Sequence, residues 1–289
     1  MKPAPFAYHA PATVVDAAGL LRDLGDEAKV LAGGQSLVPM MALRLARFEH
    51  VVDLNPVAEL RGIERANGTV RIRAMTRQAE VERDATVAGE VPLLARATPL
   101  IGHFQIRNRG TLGGSLAHAD PAAEYPAVAL ALDADFEVAN ADGSRTVPAS
   151  DFFVSTFMTA LEADDVLTAV RFPVWSGRSG FAVEEVTRRF GDFALTGAVC
   201  GVQLDGDRVK RAAIALFAMG STPLRSSDAE GSLVGTAVGD VDLEEVGRTA
   251  AAATDPPDDL HASAAYRRSV GAVVVARALR RAIAEASGG

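Results

Sequence analysis

The amino-acid sequence predicts an α+β chain built as a larger N-terminal domain and a smaller C-terminal one. Three observations carry that expectation. The chain opens with a strand, Gly-rich turn, helix, strand order; its middle alternates hairpins with short helices; and a stretch crowded with Pro, Gly and Ser separates these from long strands followed by helices. At 289 residues, 48% apolar and 23% charged, the chain is long enough to bury full cores without disulfides.

Thr13 and Asp16 mark a helix start, Val14, Val15, Leu20, Leu21 and Leu24 form its apolar stripe, and Gly25 closes it. A strand from Ala28 to Ala32 runs into Gly33-Gly34-Gln35-Ser36, after which Leu37 to Leu45 read as helix and Val51 to Leu54 as strand. From Ile63 the period shortens: Val70, Ile72 and Ala74 alternate with Arg71 and Arg73 beside an Asn67-Gly68 turn, and Asp142-Gly143 marks a second hairpin. Between these, 77–84, 91–100 and 122–132 read as helices, the last two flanking a second Gly-Gly segment. Punctuation is densest over Phe172 to Gly180, the expected domain boundary. Beyond it, strands are expected at 181–187, 194–204 and 208–217, the latter two joined by Asp205-Gly206, and helices at 243–252 and 262–286: a sheet covered by helices.

The charge balance, 37 acidic against 29 basic residues for a net −8, and the absence of a Lys/Arg run argue against a nucleic-acid partner. The N-terminal sequence has no apolar signal core, and no later apolar run approaches the ~18 residues of a bilayer span, so a cytoplasmic protein without a transmembrane segment is expected. The single cysteine, Cys200, lies in a strand-like apolar run and reads as a buried thiol rather than a catalytic one. One thiol cannot ligate an iron–sulfur cluster, so any further redox centre must sit on another chain.

Two segments carry chemistry: Ala32-Gly33-Gly34-Gln35-Ser36 and Thr111-Leu112-Gly113-Gly114-Ser115. Paired glycines permit positive φ and close backbone approach, and their N–H groups beside a helix start suit an anion such as a pyrophosphate. A single Gly-Gly pair is as readily a tight turn; two of the same grammar can grip one diphosphate from both sides. Neither is a G-x-G-x-x-G, and no G-x-x-x-x-G-K-[ST] occurs, which leaves FAD as the diphosphate-bearing cofactor.

With their surroundings, Ala32 to Pro39, Arg107 to His118, Asp120-Pro121-Ala122-Ala123-Glu124 and Arg188 to Ala194, these segments make the chain resemble the FAD-binding medium subunits of molybdenum hydroxylases, a family that includes those of carbon monoxide dehydrogenase and xanthine dehydrogenase. The resemblance runs over nearly the whole chain. It implies a two-lobed FAD-binding domain of the vanillyl-alcohol-oxidase (PCMH) type at 1–177, with lobes of about 1–55 and 56–177, then a C-terminal domain of the carbon monoxide dehydrogenase flavoprotein type at 178–289. It also implies non-covalent FAD, a large molybdopterin subunit, a small subunit with 2Fe-2S clusters, and a dimer of such heterotrimers. Electrons would pass from the clusters to the flavin and on to a final acceptor.

Residue by residue, the resemblance implies cofactor contacts from Ala32, Gly33, Gly34, Gln35, Ser36 and Leu37, and from Thr111, Gly113, Gly114, Ser115, Ala117 and Asp120. Glu124 takes the place of an acidic residue at the far end of the cofactor; a solvated carboxylate favoured by a helix N-terminus is the alternative. Leu167 matches a backbone contact position, with core packing as the alternative. Asp192 and Phe193 fall where relatives place an aromatic near the flavin ring, and Phe193 equally reads as a core residue. Relatives often carry a Lys in the strand that here contains Glu184 and Glu185. His118 and Asp120 form an H-x-D pair that fits loop hydrogen bonding better than metal ligation, His103 reads as structural, and no nucleophilic triad is apparent. Two other readings stay open: a self-sufficient FAD oxidase or dehydrogenase, and a diphosphate-binding module without redox chemistry.

Overall fold

The structure is a computed structural model and describes residues 2–288. Its first unit comprises β1 (Ala7–His9), α1 (Val14–Leu24), β2 (Ala28–Leu31), α2 (Leu37–Ala42) and β3 (His50–Asp53). The strands form a sheet ordered β1-β3-β2 with both pairings parallel. Parallel neighbours need a crossover, and between β2 and β3 it consists of the first Gly-Gly turn and α2. The Thr13 hydroxyl accepts the Asp16 N–H at 3.1 Å to cap α1, and Gly25 at φ +57° closes it. The helix α2 stops before the expected Leu45 because Arg44 adopts φ +61°; Leu43 and Leu45 are exposed and pack no core.

The second unit opens with a hairpin, β4 (Ile63–Ala66) and β5 (Thr69–Arg73), whose turn residues Asn67 and Gly68 both have positive φ, as a type I′ turn requires. Six short helices follow: α3 (Gln78–Val81), α4 (Ala85–Glu90), α5 (Pro92–Ala97), α6 (Phe104–Arg109), α7 (Leu112–His118) and α8 (Glu124–Ala131). The helix expected at 77–84 lasts one turn, since the Asp84 carboxylate accepts the Val87 N–H at 2.9 Å and starts α4 instead. The unit is completed by β6 (Asp135–Asn140), β7 (Gly143–Pro148), α9 (Ala149–Phe152), β8 (Phe153–Ser155), β9 (Met158–Thr159) and β10 (Val166–Pro173). The long strand β10 is central to an antiparallel sheet ordered β4-β5-β10-β6-β7, with an irregularity between Leu167 and Ala169.

The C-terminal part is an antiparallel meander, β11 (Ser179–Val186), β12 (Thr196–Asp205), β13 (Arg208–Phe217) and β14 (Leu224–Arg225), followed by α10 (Ser227–Leu233), α11 (Leu243–Ala252) and α12 (Ala264–Ala286). The sequence reading missed α10 and began α12 two residues early. Strand alternation sorts the sheet into two faces. Ala182, Ala198, Cys200, Val202, Ile214 and Leu216 pack with the C-terminal helices. Phe181, Val199, Ala213, Ala215 and Phe217 point the other way and share one core with Tyr125 and Val128 of α8 and with β10. The N-terminal helices α5 and α8 thus roof the sheet on that side. Cys200 is free and fully buried, and burial pushes its thiol pKa up.

Close approach of α12 to β11 depends on Gly180, where a Cβ would lie 2.0 Å from the Ala282 carbonyl oxygen and 2.6 Å from the Ala286 nitrogen. Both are backbone atoms and cannot rotate away. Gly180→Val is therefore expected to destabilise the chain by about 3 kcal/mol, seen as a lowered denaturant midpoint in equilibrium unfolding. An unchanged midpoint would show that this helix–sheet contact carries little stability.

Candidate functional site

The two Gly-Gly segments lie against each other. A Cβ on Gly33 would fall 2.5 Å from the Arg109 carbonyl oxygen and 2.8 Å from Gly110 Cα; one on Gly114 would meet Thr111 Oγ1 at 2.6 Å and Ala32 Cβ at 3.0 Å. Only hydrogen side chains allow this approach. In the first segment Gly34 sits at φ +75° and turns the chain from β2 into α2. The N–H groups of Gly33, Gly34, Gln35 and Ser36 donate to no acceptor among the described residues, while the Gln35 amide reaches back to the Gly33 carbonyl at 3.1 Å. This is a short run of free donors beside a glycine turn, the arrangement that receives anionic oxygens.

The second segment differs from expectation. It is no loop: Thr111 is the N-cap of α7, and Gly113 and Gly114 lie in its first turn without positive φ. Its first donors are already committed, Leu112 N–H to the Thr76 carbonyl at 3.0 Å, Gly113 N–H to the Ala74 carbonyl at 2.8 Å and Gly114 N–H to the Thr111 hydroxyl at 3.0 Å. The glycines here are required by packing, since a Cβ on Gly113 would meet Ala74 at 2.5 Å. The expectation that both segments offer free amides is therefore corrected: the open ones are on the first, those of Leu112 to Gly114 are engaged, and Ser115 and Ala117 are half-buried further along α7.

Past α7, the Asp120 carboxylate accepts the Ala122 N–H at 2.9 Å, and Glu124 begins α8. Glu124 is 7% exposed, which removes the solvated-carboxylate alternative. Burial, and secondarily the Glu185 and Asp120 carboxylates, push its pKa up to about 8. Leu167 is 6% exposed in the main core, as its packing alternative had it, leaving only its backbone for a ligand. Phe193 is 68% exposed and is no core residue; Asp192 beside it pairs with Arg189 at 3.2 Å. The His118 ring lies 4.9 Å from that of Phe157, and burial lowers its pKa despite Asp120. His103 packs under the turn at Gly191 and beside Phe190. The ligand-type cluster among the described residues is elsewhere, formed by Glu27, Glu49 and His50, two of them exposed.

Residues 4–175 match the family model described as the FAD binding domain in molybdopterin dehydrogenase, and residues 181–282 match that of the CO dehydrogenase flavoprotein C-terminal domain. The chain belongs to the molybdopterin dehydrogenase FAD-binding family. It is 40% identical to the carbon monoxide dehydrogenase medium chain of Hydrogenophaga pseudoflava over 282 residues, covering 98% of each chain. It is also 40% identical over 284 residues to the 6-hydroxypseudooxynicotine dehydrogenase complex subunit alpha of Paenarthrobacter nicotinovorans, covering 98% of this chain and 96% of that one. A solved structure of the Hydrogenophaga pseudoflava carbon monoxide dehydrogenase lacking the Mo-pyranopterin moiety superposes with a TM-score of 0.96 at 41% identity, covering 99% of both chains.

In this FAD-binding family member a polar chain that the sequence reading did not find ties the two segments together. The Tyr8 hydroxyl donates to Asp53 at 2.6 Å, Asn55 donates to Asp53 and, at 2.9 Å, to the Ala32 carbonyl, and Arg77 donates to the Asn55 carbonyl-type oxygen at 2.6 Å and to the Arg109 carbonyl. Burial first, then the neighbouring Arg109 and Arg61, hold the Arg77 pKa below the ordinary guanidinium value. Asp53 and Glu80 offset part of this positive charge, and the Arg77 contact with the Arg109 carbonyl holds a guanidinium close to the Gly33 turn. Asp53 ends a strand and Asn55 follows it, a weak sequence signal that gains meaning only when β2 and β3 are seen to be neighbours.

Proposed function

We propose that this chain is the FAD-carrying medium subunit of a molybdenum hydroxylase, receiving electrons from 2Fe-2S clusters on a small partner subunit and passing them to a final acceptor. A large molybdopterin subunit holds the substrate site, and the whole is a dimer of heterotrimers in the cytoplasm. The observation that carries this reading is the contact between the two Gly-Gly segments, with free N–H groups from Gly33 to Ser36 beside Arg61, Arg77 and Arg109. No helix among the described residues is long and apolar enough to cross a membrane.

In this reading the amides of Gly33 to Ser36 hold the diphosphate, Leu37 and Thr111 to Ala117 form the walls, and Asp120, Glu124 and the Leu167 backbone reach the parts beyond. Asp192 and Phe193 stand at the ring end, where the exposed face of Phe193 covers a flat aromatic surface. Bound FAD supplies a redox centre that takes up electrons one or two at a time. The chain's own residues bind it, orient it and limit water access. Domains of 1–177 and 178–289 are proposed with it; the core shared across that boundary by Trp175 and Phe181 holds the two in one orientation. The relatives at 40% identity are named for different substrates, in keeping with a substrate pocket on another chain.

The FAD is held without a covalent bond, because the lone cysteine is buried in the C-terminal sheet and His103 and His118 are both engaged by packing. Acid precipitation of the purified chain is expected to leave all flavin in the supernatant. Yellow colour in the washed pellet would contradict it.

A further inference from the structure

Two glutamates stand side by side at one end of the N-terminal sheet with no cation between them. The strands β2 and β3 are parallel neighbours with Ala28 opposite His50, which sets Glu27 opposite Glu49 one step before them. The backbone fixes that step, since the Glu49 N–H donates to the Glu27 carbonyl at 3.1 Å and the Ala7 N–H to the Glu49 carbonyl at 2.7 Å. Like charges opposite each other on neighbouring strands destabilise a sheet. Neither carboxylate enters an ion pair among the described residues. Lys29, the nearest cation along β2, lies over the Phe48 ring at 6.0 Å instead.

Two histidines complete the place. A ring nitrogen of His50 and one oxygen each from Glu27 and Glu49 lie within 4.8 Å of one another. Two ligands of one zinc ion stand about 3–4 Å apart, so rotation of the two exposed glutamate side chains closes the set. On β1, Ala7 is opposite His50 and His9 opposite Val52, and strand alternation puts His9 and His50 on the same face of the sheet. There His9 Nε2 meets His50 Nδ1 at 3.1 Å, with the rings tilted by 43°. A hydrogen bond at one imidazole nitrogen fixes the tautomer and aims the other nitrogen, which is how histidines that ligate metals are held. With His50 Nδ1 engaged by His9, Nε2 is the atom left to ligate.

We propose that Glu27, Glu49 and His50 form a site for a divalent cation of the zinc type, which clips the starts of β2 and β3 together while His9 of β1 orients the His50 ring. One imidazole and two carboxylates, with no thiolate, suit a borderline cation and leave a fourth position to water. The cation turns the repulsion between the opposed carboxylates into shared ligation, and its ligands sit on paired strands rather than on a loose loop. The site stands independently of the FAD reading: β2 begins beside Glu27 and ends before the Gly33 turn, so the cation lies at the end of the strand away from that turn.

The test takes the untagged full chain, dialyses it against EDTA and titrates it with zinc in a calorimeter. About one zinc ion per chain is expected. His9→Gln is expected to weaken binding by about 10- to 100-fold, the range for an orienting partner, and His50→Gln, or Glu27→Gln with Glu49→Gln, by more than about 100-fold, since these remove ligands. Histidine-ring NMR of the unaltered chain reads the site without substitution: zinc is expected to shift the signals of His9 and His50 and to leave those of His103, His118 and His261 in place. No saturable zinc binding by the unaltered chain, equal binding by His50→Gln or by the double glutamine variant, zinc-induced shifts confined to the other histidines, or displacement of zinc by an equal concentration of calcium would each overturn the site.

Discussion

Gly33→Val and Gly114→Val are each expected to strip FAD from the purified chain. At Gly33 the new Cβ meets the Arg109 carbonyl oxygen and Gly110 Cα, both backbone, so the two segments have to part. At Gly114 it meets the Thr111 hydroxyl that caps α7 and the Cβ of Ala32. Forced separation of this kind costs about 3 kcal/mol, or about 100-fold in affinity when it falls on a binding site. Gly33 lies in a turn outside the helices and strands and Gly114 is only half-buried, so circular dichroism should report a folded chain. Gly89 is the control: it lies in α4 with nothing within 4 Å of an added Cβ, and Gly89→Ala should keep its flavin and gain up to about 1 kcal/mol of helix stability. Full flavin stoichiometry in both valine variants would remove the contact between the segments from the site.

The local parts of this architecture were legible in the sequence. Thr13 and Asp16 announce α1, Asn67-Gly68 announces the I′ hairpin, and the extents of β13 and α11 follow from apolar pattern and flanking turn residues. What escaped depends on contacts distant in sequence. Gly113-Gly114 reads as a loop because glycine is a poor helix former, but the approach of Ala74 across α7 makes glycine necessary inside a helix. The solvated alternative for Glu124 rested on its locally visible helix start, whereas the sheet from Phe181 to Phe217 that packs on its helix lies far along the chain. The Asp53, Asn55 and Arg77 network was hidden for the same reason.

The second large effect concerns electron flow. A chain with one buried cysteine provides no cluster ligands. The residues around the Gly-Gly segments are committed to packing, capping or the cofactor, and among them His118 and His103 are held by aromatic neighbours rather than poised as bases. The flavin of this chain should therefore be a relay, reduced by a protein partner and inert toward the organic substrate of the complex. Anaerobic stopped-flow spectroscopy at the flavin absorption band measures this directly. Mixing the FAD-loaded chain with the pre-reduced small iron–sulfur subunit is expected to bleach the band rapidly, while the substrate of the assembled complex leaves it unchanged until all subunits are present. Rapid bleaching of the lone chain by that substrate, or no bleaching by the reduced iron–sulfur partner, would contradict the assignment as an electron-transferring FAD subunit.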